Sequence, residues 1–226
     1  MTTPISLQID FVSDVSCPWC AVGLGALEEA LQRVAGEVKA ELHFKPFELN
    51  PQMPAGGQDI TEHLTQKYGS TPEQQTAIRE TLRARGAEVG FTFRPEGRGR
   101  IYNTFDAHRL LHWAALQPGG HQPALKKSLL KAYFTDGQSP ESHGVLVQAA
   151  ANAGLDADQA RTVLESGAYA SEVRAEEQFY LNAGIHSVPA VILNRQYLIS
   201  GGQPVEVFEQ ALRQIASEKS PAGQSH

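Results

Sequence analysis

The residues best suited to chemistry are the two cysteines, which stand three positions apart in Cys17-Pro18-Trp19-Cys20. A strand pattern precedes them and a helical pattern follows, so the first sulfur lies at a helix N-terminus. There the unpaired amides and the helix dipole favour an anion, which lowers the pKa of a thiol and populates the reactive thiolate. Two cysteines in 226 residues cannot build a structural disulfide framework. The motif therefore predicts thiol–disulfide exchange.

A zinc site is the alternative for a cysteine pair of this spacing. Structural zinc takes four ligands, usually with a second C-x-x-C or two histidines. His108 and His112 are spaced i, i+4, but Arg109 stands where a zinc-protease motif has glutamate. The sequence therefore predicts no metal site, and we interpret the two histidines as one packed and one exposed residue.

Composition and charge limit the classes of function. The chain has a net charge of −6, with 41% hydrophobic and 19% charged residues, which is typical of a soluble globular protein and argues against general nucleic-acid binding. We interpret the one basic stretch, residues 94–100, as a Gly-rich surface loop. No apolar run reaches transmembrane length, and residues 1–6 lack the features of a signal peptide. We therefore expect a cytoplasmic protein with no nucleic-acid or membrane partner.

The order of predicted elements indicates the fold. A strand at 5–12 leads through the cysteines into a helix ending near residue 35, and a second strand covers 38–49. After a break at 50–57, helices are predicted from residue 59 or 61, at 71–89, 103–116, 122–134, 142–153, 156–165 and 169–183. Short strands at 190–193 and 197–199, joined by hairpin residues 194–196, precede a last helix ending near 216.

These elements predict an α/β protein with a thioredoxin-like fold and a large all-helical insertion between the two halves of the sheet. Residues 1–57 and 185–216 form the discontinuous thioredoxin-like domain, and residues 58–184 form the helical insertion domain. Residues 217–226 form a polar tail, in which Ser220 and Ser225 have no redox role.

Several motifs spread along the chain resemble one family. Its pattern is matched at the cysteine motif, in the second strand, in the helical block, before the third strand and after the fourth. The matching residues are Asp14 with Cys17-Pro18-Trp19-Cys20, Lys45-Pro46-Phe47-Glu48-Leu49-Asn50-Pro51, Asn103-Thr104 with Ala107-His108-Arg109, Ser187-Val188-Pro189-Ala190, and Ile199-Ser200-Gly201-Gly202-Gln203-Pro204. The chain thus resembles the DsbA family of thioredoxin-fold oxidoreductases, in its cytoplasmic FrnE-like branch.

The resemblance implies a second part of the site. It implies a cis bond between Val188 and Pro189 facing the cysteine pair, where an extended substrate pairs with the backbone of Val188. It also places the helical insertion over the site, with Asn103, Thr104 and His108 on the wall that binds substrate. The alternatives are a proline that only opens a strand and a polar helix face that is only solvated.

The two cysteines are expected to have different roles. Cys17 attacks the substrate, and Cys20, one turn later and more buried, resolves the mixed disulfide. Pro18 and Trp19 tune the pair but carry no positive charge, so we expect a less oxidising couple than in relatives with histidine there. His186, three residues before Pro189, either lowers the pKa of Cys17 or is an exposed loop histidine.

We therefore predict a cytoplasmic disulfide oxidoreductase that favours reduction or isomerisation over net oxidation. Its partners are a disulfide-containing protein or small thiol substrate and a cellular reductant, and it needs no cofactor, with glutathione as a candidate co-substrate. One alternative is a glutathione-dependent isomerase or kappa-class-like transferase, which usually has serine at the first active position. Another is a non-catalytic, chaperone-like binding module.

Overall fold

A four-stranded mixed sheet organises the chain. The computed structural model describes residues 4–219. The sheet order is β2-β1-β5-β6, and a two-stranded sheet pairs β3 with β4. In chain order the elements are β1 (Ile5–Ser13), α1 (Pro18–Arg33), β2 (Val38–Pro46), β3 (Gln58–Asp59), α2 (Ile60–Tyr68), α3 (Pro72–Glu88), β4 (Arg100–Ile101), α4 (Phe105–Ala115), α5 (Gln122–Phe134), α6 (His143–Asn152), α7 (Ala157–Ser166), α8 (Ala170–Asn182), β5 (Ala190–Leu193), β6 (Tyr197–Ser200) and α9 (Val205–Lys219).

Strand β1 lies at the centre of the larger sheet. It runs parallel to β2, from Ile5 opposite Val38 to Ser13 opposite Pro46, and antiparallel to β5. Strand β6 then pairs antiparallel with β5 at the edge. Because β1 has neighbours on both sides, its second half is buried, and the chain leaves it directly into the cysteine motif.

Two hydrophobic clusters meet at the turn between β1 and α1. The first packs the sheet against α1, α9 and α5, and it includes both cysteines. The second lies among α4, α5, α6 and α7, and Val15 of the turn belongs to it. The cysteine motif is therefore held between the core of the sheet and the core of the helical block. No helix within residues 4–219 is long and apolar enough to span a bilayer.

The predicted fold class is confirmed, with three differences in detail. The helical block contains the short β3–β4 pair, so it is not entirely helical. Strand β2 ends at Pro46, three residues before the predicted end, and α9 continues to Lys219, past the predicted start of the tail at 217. Residues 220–226, with Ser220 and Ser225, lie outside the described residues. The division into two domains stays a prediction.

Candidate active site

The end of β1 places the two thiols. Cys17 is the N-cap of α1, with extended backbone angles of φ −89° and ψ 114°, and Pro18 occupies the first turn, where a missing amide costs no hydrogen bond. The Cys17 amide donates to the carbonyl of Asp14 at 3.3 Å, and the Cys20 amide donates to that of Cys17 at 3.1 Å. Both residues are free thiols, with Cys17 4% exposed and Cys20 fully buried. The sulfur nearer the surface is therefore the one at the helix N-terminus.

The two thiols differ sharply in acidity. The hydrogen bond from the Cys20 side chain is the largest influence on Cys17, and it lowers the pKa of that thiol against the opposing effect of burial. Burial raises the pKa of Cys20 well above its ordinary value, and the interaction with Cys17 raises it further. Cys17 is consequently the more acidic of the two thiols, and its role as the nucleophile stays a prediction.

A loop from the second half of the sheet faces the pair. The Val188–Pro189 peptide bond is cis, and the Val188 carbonyl oxygen lies 3.7 Å from the Cys17 sulfur. The Gly201 amide donates to the carbonyl of Pro189 at 2.8 Å, which ties the loop to the end of β6. A Cβ atom on Gly23 would lie 3.1 Å from the Pro189 ring, so a larger residue at position 23 would crowd α1 against this loop.

The buried carboxylate of Asp14 lies in the segment between β1 and α1, three residues before Cys17. Asp14 accepts hydrogen bonds from the Ser16 amide at 3.0 Å, the Ser16 hydroxyl at 2.9 Å and the Leu49 amide at 2.8 Å. The Nε2 atom of His108 lies 3.5 Å from Asp14 Oδ1, a polar contact longer than a good hydrogen bond. Burial by itself raises the pKa of Asp14, but these partners together hold it at about 2. The resulting negative charge raises the pKa of Cys17.

A cation from the helical block opposes this charge. Arg98, in the loop between α3 and β4, donates from Nη1 to the carbonyl of Ser16 at 2.8 Å, one residue before Cys17. Its guanidinium lies over the rings of Tyr133 and Phe134, at 5.9 and 5.5 Å. Its charge lowers the pKa of Cys17. The interpretation of residues 94–100 as only a surface loop was therefore wrong for Arg98, which is half-buried against the active site.

The remaining predicted residues lie in different environments. Thr104 and His108 are buried, at 3% and 2% exposed, so the face they share is not simply solvated, and the contact of His108 is with Asp14. The Asn103 side chain accepts a hydrogen bond from the amide of Phe105 at 2.9 Å. A substrate contact for these three residues stays a prediction.

The two residues between the cysteines and His186 complete the predicted set. Pro18 and Trp19 are both half-buried, and a Cβ atom on Gly202 would lie 3.0 Å from the Trp19 carbonyl oxygen. His186 is exposed. The charge of Arg98 lowers the pKa of Cys17, and an effect of His186 stays a prediction. Among residues 4–219, no three His, Cys, Asp or Glu side chains are grouped to hold a metal ion.

Comparisons with known proteins agree with this geometry. Residues 8–213 match the model of the DSBA-like thioredoxin domain. A probable DsbA oxidoreductase of Streptomyces coelicolor is 39% identical, with a TM-score of 0.86 over 95% of this chain and 92% of that one. An uncharacterized Bacillus subtilis protein, YwbO, is 28% identical over 95% of this chain and all of its own length. The cytosolic disulfide reductase DsbM of Pseudomonas aeruginosa, solved with GSH, shares the fold at 17% identity, with a TM-score of 0.61 over 92% of this chain and 98% of that one.

Proposed function

The chain belongs to the DsbA-like thioredoxin-domain family and is a disulfide oxidoreductase, and we propose that it works as a cytoplasmic reductase or isomerase of disulfides, in the FrnE-like branch of that family. The Asp14 carboxylate near Cys17 supports this direction, because its charge raises the pKa of that thiol and so offsets part of the lowering by the Cys20 hydrogen bonds and Arg98. A strongly oxidising couple requires a stabilised thiolate in the reduced form. A buried anion beside the thiolate has the opposite effect, because it destabilises the reduced form and makes the couple less oxidising.

The different acidities of the two thiols support an ordered exchange. The Cys17 thiolate attacks one sulfur of a substrate disulfide, forms a mixed disulfide and releases the other sulfur as a thiolate. Cys20 then loses its proton and attacks the Cys17 sulfur, which forms the Cys17–Cys20 disulfide and releases the second substrate sulfur. For glutathione as the co-substrate, two molecules return the enzyme to the dithiol and leave as one glutathione disulfide. The similar fold of the disulfide reductase DsbM, solved with GSH, supports this choice of reductant.

Substrate binding is proposed at the loop facing Cys17. The Val188 carbonyl, 3.7 Å from the Cys17 sulfur, supports pairing of an extended substrate along Val188 and Pro189. We assign Asn103, next to the buried Thr104 and His108, to the opposite wall of this cleft. The substrate is a protein disulfide or a mixed disulfide of a small thiol.

The test is reduction of a protein disulfide with glutathione as the electron donor. Cys17→Ser should abolish the reaction, because Cys17 provides the attacking thiolate. Cys20→Ser should accumulate a mixed disulfide with the substrate, because the resolving thiol is missing. The double Cys17→Ser, Cys20→Ser variant is the control for thiol-independent activity. Reduction at the wild-type rate by Cys17→Ser would contradict the proposal.

A further inference from the structure

Lys126 is a buried lysine that the exchange described above does not use. It lies on α5 and is fully buried, and its Nζ atom has no hydrogen-bond partner. Lysine is almost never fully buried without a partner, because transfer of an ammonium group out of water costs several kcal/mol. Burial of this kind disfavours the ammonium form, so the amine gives up its proton more readily than that of an exposed lysine, and the neutral form can act as a base.

The face of α5 directs Lys126 toward the thiols. Leu130, one turn further along α5, belongs to the same hydrophobic cluster as Cys17 and Cys20, and so does Tyr133. Lys126 is therefore buried on the α5 face that packs into the cluster containing both thiols, and its charge lowers the pKa of Cys20. The groups that act electrostatically on Lys126 in turn are Cys20, Asp14 and Cys17.

The neighbours of Lys126 on the same helix have other partners. The Gln122 side chain is held by the backbone of Phe44, with hydrogen bonds of 3.0 Å to its amide and to its carbonyl. Lys127 is exposed and pairs with Glu28 at 2.9 Å. Of these three polar side chains on α5, only Lys126 is buried beside the thiols without a hydrogen bond.

Resolution of the mixed disulfide requires a proton acceptor. Cys20 is fully buried and holds its proton at neutral pH, so it must lose the proton before it can attack. Asp14 is a poor acceptor, since its carboxylate has a pKa of about 2. Burial lowers the pKa of Lys126, which brings its amine closer to the working pH of a base.

We propose that the Lys126 amine accepts the Cys20 proton in the step in which Cys20 attacks the Cys17 sulfur and frees the substrate. This inference rests on the proposed exchange at Cys17 and Cys20. A Cys20–Cys17 bond forms, the bond between Cys17 and the substrate sulfur breaks, and the substrate leaves as a thiolate with the electron pair. When a reductant later opens the disulfide, Cys20 leaves as a thiolate and takes the proton back from Lys126. The helical block thus supplies the base for chemistry on the thioredoxin-like sheet.

The experiment uses an aromatic disulfide, dithionitrobenzoate, whose released thiolate is coloured. Reduced wild-type protein should release two coloured thiolates per chain, one when Cys17 attacks and one when Cys20 resolves the adduct. In Lys126→Met the second phase should be roughly 100-fold slower, as expected for loss of a positioned base, and the first phase should change far less. Lys127→Met, the control on the same helix, should match the wild type in both phases.

The pH dependence separates a chemical role from a structural one. In the wild type the second phase should rise with pH and level off once the Lys126 amine is neutral. In Lys126→Met it should keep rising, because only solvent and hydroxide remain to remove the proton. The variant should melt no lower than the wild type, since methionine removes a buried polar group. Lys126→Gln should give the same kinetics and serves if the methionine variant folds poorly.

Two outcomes would overturn the inference, and a third would overturn the exchange on which it rests. An unchanged second phase in both Lys126 variants would exclude Lys126 as the base and would leave the proposed exchange intact. A shift of the pH profile of the first phase, with the second phase intact, would show that Lys126 is a permanent cation acting on Cys17. Release of fewer than two thiolates by the wild type would instead overturn the proposed exchange itself.

Discussion

Asp14→Asn should weaken the fold and make the Cys17 thiol more acidic at the same time. The carboxylate has a pKa of about 2 in the folded protein and an ordinary value of 3.8, which corresponds to about 2 kcal/mol of stability at neutral pH. Because the folded value is the lower one, this contribution is complete above about pH 4 and is lost as the pH falls toward about 2. In the wild type both carboxylate oxygens accept hydrogen bonds. The asparagine variant replaces one oxygen with an NH₂ group that faces those donors, which lowers the stability further, by about 1–3 kcal/mol.

The same substitution removes the negative charge that raises the pKa of Cys17. The thiolate should therefore become more stable and the couple more oxidising. Each unit by which the pKa of Cys17 falls corresponds to about 1.4 kcal/mol, or about 30 mV for a two-electron couple. Ultraviolet absorbance of the thiolate against pH gives the pKa, and urea unfolding at neutral and acidic pH gives the stability.

Asp10→Asn is the matched control for Asp14→Asn. Asp10 is a buried carboxylate on β1, four residues before Asp14, and accepts hydrogen bonds from the Tyr180 hydroxyl at 3.3 Å and from the side-chain amide of Gln8 at 3.1 Å. Its replacement should destabilise the protein without changing the acidity of Cys17. An unchanged Cys17 pKa in Asp14→Asn would refute the electrostatic argument. So would a stability difference from the wild type that stays constant as the pH falls below about 4.

Three other predictions concern the same site. Arg98→Gln should raise the pKa of Cys17, because the cation beside Ser16 is lost, whereas Arg94→Gln, which removes a side chain paired with Glu96, should not. Thiolate titration measures the Cys17 pKa in both variants. A pKa that rises in Arg94→Gln and not in Arg98→Gln would contradict this reasoning. Brief alkylation of the reduced protein at neutral pH should label Cys17, and a peptide map dominated by Cys20 would contradict the assignment of the nucleophile. Tyr68→Ala should raise KM for a disulfide substrate with little change in kcat, since this ring is 62% exposed and within reach of the Cys17 charge; an unchanged KM would remove Tyr68 from the substrate surface.

Local patterns were sufficient to predict the sheet and the thiols. The positions of Cys17 and Cys20 follow from a strand, a short turn and a helix that begins at Pro18, all within about twenty residues of sequence. The order of strands and helices then restricts the topology, because a parallel β-α-β unit and a hairpin leave few arrangements for one sheet. The two-residue strands β3 and β4 are too short to produce an alternating pattern, so no signal marked them.

The groups that tune the thiols depend on contacts between distant segments. Arg98 and Lys126 lie 81 and 109 residues from Cys17, and nothing near either residue distinguishes it from a solvated side chain. Lys126 stands next to exposed Lys127, so the pair is typical of a polar helix face. His108 is buried with its Nε2 atom 3.5 Å from Asp14, a contact that its sequence surroundings do not indicate, and its predicted contact with substrate stays a prediction. The spacing of residues predicts which side chains share a face, whereas the packing of that face determines what they contact.

The redox potential of the Cys17–Cys20 pair is the most direct test of whether the protein favours reduction or net oxidation of disulfides. The measurement is equilibration of the protein in glutathione buffers of defined ratio, followed by trapping and counting of the free thiols. We predict a potential at or below about −200 mV, in the range of glutathione-linked reductases and well below that of strong oxidants. A value near about −120 mV would show a stabilised thiolate and a net oxidase, and would contradict the role given to Asp14.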